Sequence, residues 1–220
     1  MSTRRNTPLL SLLLLLLILV GCGGNSDNAA PGPVAMDQAE HDRWEIALVE
    51  MRIEKNEAFQ DPAQTALPRE LIEGFEGLNY FFPNPDLRFR TQLVAAAGTD
   101  TVQLTKRRGE TVPYIMRGNV SFLAAGKAHT LQVFGPATPA RGDYLWLPFF
   151  DASNTADTYP GGRYLDLEVD GDGFVELDFN FAYNPLCDYN PDKYNCTLPP
   201  AGNTLNFAVE AGEKRFSAEH

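Results

Sequence analysis

Arginine, tyrosine, asparagine and aspartate crowd one stretch of this 220-residue chain, which runs TYPGGRYLDLEVDGDGFVELDFNFAYNPLCDYNPDKYNCTLPP from Thr158 to Pro200. Arg163 directly follows Gly161 and Gly162, which admit close backbone approach. Asn180, Tyr183 and Asn184 leave a strand end, and strand geometry can bring Asp151, Tyr159, Tyr164 and Asp178 alongside them. Groups of these types fix a carboxylate, a phosphate or a sugar, so these residues are the candidate ligand-binding set. The same groups also build buried hydrogen-bond networks that lock a long loop, and the sequence leaves both readings open.

Cys187 and Cys196 lie in the same stretch. In an oxidising compartment two such thiols pair, and a bridge of this short span contributes about 2–3 kcal/mol; a redox-active pair is the alternative. A zinc site asks for four ligands, usually in tight C-x-x-C pairs. Here His41, His129 and His220 are scattered, so neither a metal nor a cofactor is expected. Asp170, Asp172 and Gly173 share the outline of a calcium loop but lack its third acidic position and closing glutamate, so they read as a hairpin turn.

Asp166, Glu168, Glu176 and Asp178 alternate onto one strand face, either as solvated acids or as a cation or acid/base site. The chain contains no G-x-S-x-G, H-E-x-x-H, Walker loop or G-x-G-x-x-G, so the best-marked nucleophile, zinc and nucleotide classes have no support.

The elements that must position these residues follow from periodicity. Trp44, Leu48, Met51 and Phe59 fall on one side of an amphipathic helix from Asp37 to Gln60, opened by a capping box of Asp37 and Glu40. Pro62 and Pro68 end it, and Arg69 to Leu78 has room for one more helical turn. From Asp86 the period switches to two.

Short segments around Phe89–Leu93, Val102–Leu104, Val112–Met116, Val120–Ala124, Leu131–Val133, Tyr144–Phe150, Leu165–Val169, Val175–Phe181 and Leu205–Val209 read as strands. Pro148 argues for a bulge or an edge. Pairing Leu165–Val169 with Val175–Phe181 so that apolar residues share a face requires a loop with an odd number of residues, bulged at glycine. The expected fold is mainly β, an antiparallel β-sandwich or barrel of about nine strands with one N-terminal amphipathic helix.

Arg4 and Arg5, the apolar run Leu9–Val20, then Gly21 and Cys22 form a lipoprotein signal peptide over residues 1–21. That run is shorter than the roughly 20 residues a bilayer span needs. Cys22 is the expected lipidation site and the membrane partner. Gly23, not aspartate, follows it, which points to the outer membrane facing the periplasm in a Gram-negative envelope.

Residues 22–36 form a flexible tether and 37–216 a single domain. The formal charge is −11 for the whole chain. Losing Arg4 and Arg5 leaves 16 basic against 29 acidic residues, a balance that excludes nucleic acid as a partner.

The motifs TYPGGRYLDL, DFNFAYNPLC, a second cysteine followed by LPP, Asn203 and the closing EAGEK resemble a bacterial family of unknown function, DUF1684, in a short lipoprotein form, over about Glu54 to Phe216. The chain departs from that pattern at Phe181, Leu186, Thr197 and around Thr155–Asp157. The resemblance implies one compact, largely β domain and carries no activity or catalytic residue with it. The functional expectation is a non-catalytic envelope lipoprotein that binds a small polar ligand or an envelope protein. The alternatives are an envelope hydrolase using Asp178 with Asp151 or Glu210, and a purely structural lipoprotein.

Overall fold

The computed structural model describes residues 30–98, 100–138 and 144–216; Cys22, the signal segment and His220 lie outside the described residues. Helix α1 (Gln38–Gln60) begins at the expected capping box: Glu40 N donates to Asp37 Oδ1 at 2.8 Å and Asp37 N to Glu40 Oε2 at 2.9 Å. It buries Trp44, Leu48 and Phe59. Ile46, Val49 and Ile53 make a second, exposed apolar stripe that spacing counted from Trp44 does not reach. A short helix α2 (Arg69–Ile72) follows.

Two antiparallel sheets form the body, and the larger one is not closed into a barrel. In the small sheet β1 (Arg88–Gln92) pairs with β8 (Phe174–Asp178). The large sheet has the order β2 (Val94–Ala95), β4 (Thr111–Ala124), β5 (Lys127–Pro136), β6 (Leu145–Phe149), β7 (Arg163–Leu167), and β3 (Thr101–Thr105) also lies on β4.

Where the sequence suggests two strands, β4 is one, bulged at Arg117: Met116 opposes Phe134, but Gly118 opposes Val133. The extra residue inverts the alternation, so Tyr114 and Val120 face opposite sides although both numbers are even. The β4–β5 turn is Ala125–Gly126, both at positive φ (49° and 73°), the two-residue hairpin geometry that matches strand twist.

The acidic face read from the sequence does not assemble. The turn between β7 and β8 forms, with Asp170 N donating to Phe174 O at 2.8 Å around a three-residue loop ending in Gly173 at φ 84°, so the odd loop length is correct. Beyond the single bridge Val169–Val175 the strands part: β7 stays with β6 and β8 crosses to β1. Asp166 and Glu168 therefore remain on the large sheet, Glu176 pairs with Arg88, and Asp178 is buried. Asp170 Oδ1 accepts from the backbone of Asp172 and Phe174, as a turn aspartate does.

Leu205–Val209 is not a strand either. Asn203 replaces the missing pairing where β5 and β6 splay beyond Phe134–Trp146: its amide exchanges bonds with the Gln132 backbone (2.8 Å each) and donates to Pro148 O at 2.8 Å.

The main core lies between the sheets and includes Phe89, Phe122, Leu147, Phe149, Leu165, Leu177 and Phe179. Each such side chain contributes about 1.5–3 kcal/mol by leaving water. A second cluster, Leu104, Tyr114, Phe134, Trp146 and Tyr164, lies on the opposite face of the large sheet, at the end away from the β4–β5 turn. Among the described residues no helix is long and apolar enough to cross a membrane.

Candidate functional site

Arg163 opens β7 and is fully buried. Its approach depends on Gly162, at φ 82°, where a Cβ would meet Pro199 Cγ at 2.6 Å and Phe149 O at 2.7 Å. The guanidinium donates to Asp151 Oδ2 at 2.9 Å, to Val209 O at 2.7 Å, to Glu213 O at 3.3 Å and to Ala211 O. These carbonyls lie two residues apart along the C-terminal segment, and all three converge on this one side chain. Burial pulls the Arg163 pKa below its ordinary value, and Asp151 opposes that pull. A charge buried this deeply persists only with such a partner and its acceptors.

Asp178 and Asn180 form a second buried unit. Asp178 Oδ2 accepts from Trp44 Nε1 at 2.7 Å, which ties α1 to the small sheet, and Oδ1 accepts from Asn180 N (2.9 Å) and Nδ2 (2.7 Å). Asn180 also exchanges bonds with the Asn84 backbone. Burial raises the Asp178 pKa.

The open site lies on the other side of β7. Alternation sends Leu165 and Leu167 into the main core and Tyr164, Asp166 and Glu168 outward. Here a cleft of about 1190 Å³ is floored by Trp146 and Tyr164 and walled by Lys55 of α1, Lys106 of the β3–β4 turn, and Asn184 and Cys196 of the cysteine loop.

The Cys187–Cys196 disulfide closes that loop. The short helix α3 (Leu186–Tyr189) lies within the loop, and the Arg107–Arg108 turn clasps it through Pro191 O, Asp192 O and Asn195. Tyr183 bonds its backbone to Tyr164 in both directions and donates its hydroxyl to Asp166 Oδ1 at 3.0 Å. Partial burial raises the Asp166 pKa, opposed by that hydroxyl and by Lys55. Burial also raises the phenols of Tyr164 and Tyr183, so both remain protonated donors.

Lys55 projects from α1 onto the buried carboxylate of Glu213, which also accepts from Asn184 N at 2.8 Å and from the Tyr189 hydroxyl. The ammonium is ringed by Phe59, Tyr183 and Tyr189, with centroids 5.9, 5.3 and 5.8 Å away. Asn184 gives its Nδ2 to Asp188 and Lys214 O, while its buried Oδ1 has no donor among the described residues. Behind this wall burial pushes the Asp188 pKa up to about 7. Lys106 makes no ion pair among the described residues.

Of the candidate residues, the structure brings Tyr164, Tyr183 and Asn184 to the cleft. It places Arg163, Asp151, Asp178 and Asn180 in the buried units beneath, and Tyr159 beside Gly161 near Arg107 and Asp188. Glu210 is exposed, while Asp151 and Asp178 are both buried and partnered; Asp151 Oδ1 accepts from Val209 N, next to Glu210, at 3.1 Å. Sequence reasoning misses Lys55, Lys106 and Asp166 as cleft residues. One signal for Lys55 is present in the chain: it lies eleven residues after Trp44 and four before Phe59, on the buried stripe of α1, where a lysine needs a partner.

Residues 73–214 match the model of a family described as "Protein of unknown function (DUF1684)". A solution NMR structure of an uncharacterized protein from Haloarcula marismortui is similar at 36% identity, covering 84% of this chain and 100% of that one, with a TM-score of 0.63. No curated protein matches the chain.

Proposed function

The chain belongs to the DUF1684 family, and from that premise we propose that it is an exported lipoprotein, anchored through Cys22 in the cell envelope, whose domain binds a small polar ligand in the cleft beside β7. The observation that carries this reading is convergence. Lys55, Lys106, Tyr183, Asp166 and Asn184 come from α1, the β3–β4 turn, β7 and the cysteine loop, yet all line one open cavity.

Pockets of this kind offer a few placed polar groups above an apolar floor. Here the floor is aromatic, but Trp146 is already stacked on Tyr114 at 4.9 Å and met edge-on by Tyr164 at 4.8 Å. Recognition therefore falls to the polar wall and not to ring stacking. The buried Arg163–Asp151 and Asp178–Asn180 units hold the strands and loop in place and take positioning roles.

A thermal-shift screen of small sugars, carboxylates and phosphates against wild type, Lys106→Ala and Tyr183→Phe tests the assignment. A ligand that raises the wild-type midpoint and loses that effect in both variants supports it. A ligand that stabilises all three proteins equally places the site elsewhere.

A further inference from the structure

We propose that the β4–β5 hairpin tip rests on the lipid surface that holds the anchor, which turns the cleft away from that surface. This rests on the lipoprotein reading above and adds an orientation to it. The segment leading to α1 is strapped along the domain: Leu123 N donates to Pro31 O at 2.7 Å and Val34 N to Arg88 O at 2.8 Å. Ala30 therefore lies beside the hairpin tip. Cys22 is eight residues earlier in the chain. Whatever their conformation, eight residues span at most about 29 Å, so a lipidated Cys22 holds the tip close to the bilayer.

The tip suits a lipid surface. Leu123 is 42% exposed beside the Ala125–Gly126 turn and Lys127. A shallow groove of about 380 Å³ next to it is lined by Pro33, Leu123, Ala124 and Phe207. A leucine and an aromatic ring flanked by a lysine match the boundary between acyl chains and headgroups. Asp86 and Glu210 border the same groove, so a zwitterionic surface fits better than an anionic one.

Two independent rulers place the cleft at the far end. Along β4, Tyr114 lines the cleft and Ala124 reaches the tip, and at about 3.3 Å per residue they are about 30 Å apart. Along α1, Asp37 follows the strapped segment and Lys55 enters the cleft, a rise of about 27 Å at 1.5 Å per residue. Strand and helix thus carry the chain from the anchor to the opposite pole of the domain, where the cleft opens toward whatever the surrounding compartment holds.

The full acylated protein in vesicles of brominated phosphatidylcholine tests the orientation through tryptophan quenching, with the buried wild-type tryptophans as background. Leu123→Trp adds a reporter at the tip, and Leu186→Trp adds one at an exposed position on the cleft rim. The added emission of Leu123→Trp is expected to lose most of its intensity, and that of Leu186→Trp to keep nearly all of it. Equal quenching of both, or quenching of Leu186→Trp alone, overturns the orientation while leaving the anchor intact. An intact mass without acyl groups on Cys22, with protein that fails to float with vesicles, overturns the anchor and the orientation together.

Discussion

The same strands of the large sheet make two faces with opposite fates. Leu147, Phe149, Leu165 and Leu167 point to the side closed by β1, β8 and the C-terminal segment, and Arg163, a cation on that side, has both terminal nitrogens bonded to Asp151 or backbone carbonyls. Trp146, Tyr164 and Asp166, one residue out of step with them, point to a side that the cysteine loop, the β3–β4 turn and the end of α1 partly cover. Polar groups on the closed face hold structure, whereas those on the open face line the cleft proposed to take a ligand. The difference shows that a cluster of binding-type residues in sequence is divided by strand parity before any chemistry is possible.

The sharpest way to break this comparison is at Arg163. Arg163→Met strands the buried Asp151 carboxylate and releases the carbonyls of Val209, Ala211 and Glu213, so unfolding free energy in urea falls by about 3–5 kcal/mol. Arg163→Met with Asp151→Leu removes both charges and recovers part of that loss. A wild-type midpoint for Arg163→Met alone would show that the closed face is not held by this pair.

Opening the disulfide bears on the other face. Cys187→Ser with Cys196→Ser lowers stability by about 2–3 kcal/mol through the freed loop, and it loosens the wall that carries Asn184. Amide hydrogen exchange should rise in residues 184–198 and remain unchanged in β4 and β5.

The smallest effect is a pH dependence at the boundary between the two regions. Burial raises the Asp188 pKa to about 7, well above the ordinary aspartate value near 4, so between those limits the folded protein binds more protons than the unfolded chain. This group's contribution is therefore most favourable below about pH 4 and becomes a cost as pH rises to about 7. Asp188→Asn keeps an acceptor for Asn184 Nδ2 and Phe216 N, and it should gain about 1–2 kcal/mol at pH 8 while flattening that slope. Chemical denaturation at pH 5 and pH 8 measures both.

Much of the scaffold is legible in the sequence because it rests on local rules. The Asp37–Glu40 box starts α1, and parity alone demands the odd loop that Gly173 closes. The reading fails where a distant partner overrides alternation. Val175–Phe181 looks like half of a hairpin with Leu165–Val169, but β1 takes it up to Asp178 and Phe179–Phe181 turns into a short 3-10 helix. Leu205–Val209 alternates like a strand, but Leu205 N and Phe207 O make only isolated bonds with Phe150 and Ala152, and Val209 gives its carbonyl to Arg163 and its N–H to Asp151. The bulge at Arg117 joins two segments into one strand and sends their apolar residues to different cores. The cleft is only half legible for the same reason: Tyr164, Tyr183 and Asn184 are close in sequence, while Lys55 and Lys106 arrive from elements that periodicity assigns to packing and to a turn.

Native mass spectrometry with elemental analysis, on protein purified without chelator, tests the central claim most directly. The account predicts a stoichiometric small-molecule adduct on the wild type that is lost from Lys106→Ala and Tyr183→Phe, both folded and both with an intact Cys187–Cys196 bridge. An adduct retained by both variants but lost when the Asp178–Asn180 unit is altered by Asn180→Ala, with the fold intact, would contradict it and move the site to the buried face.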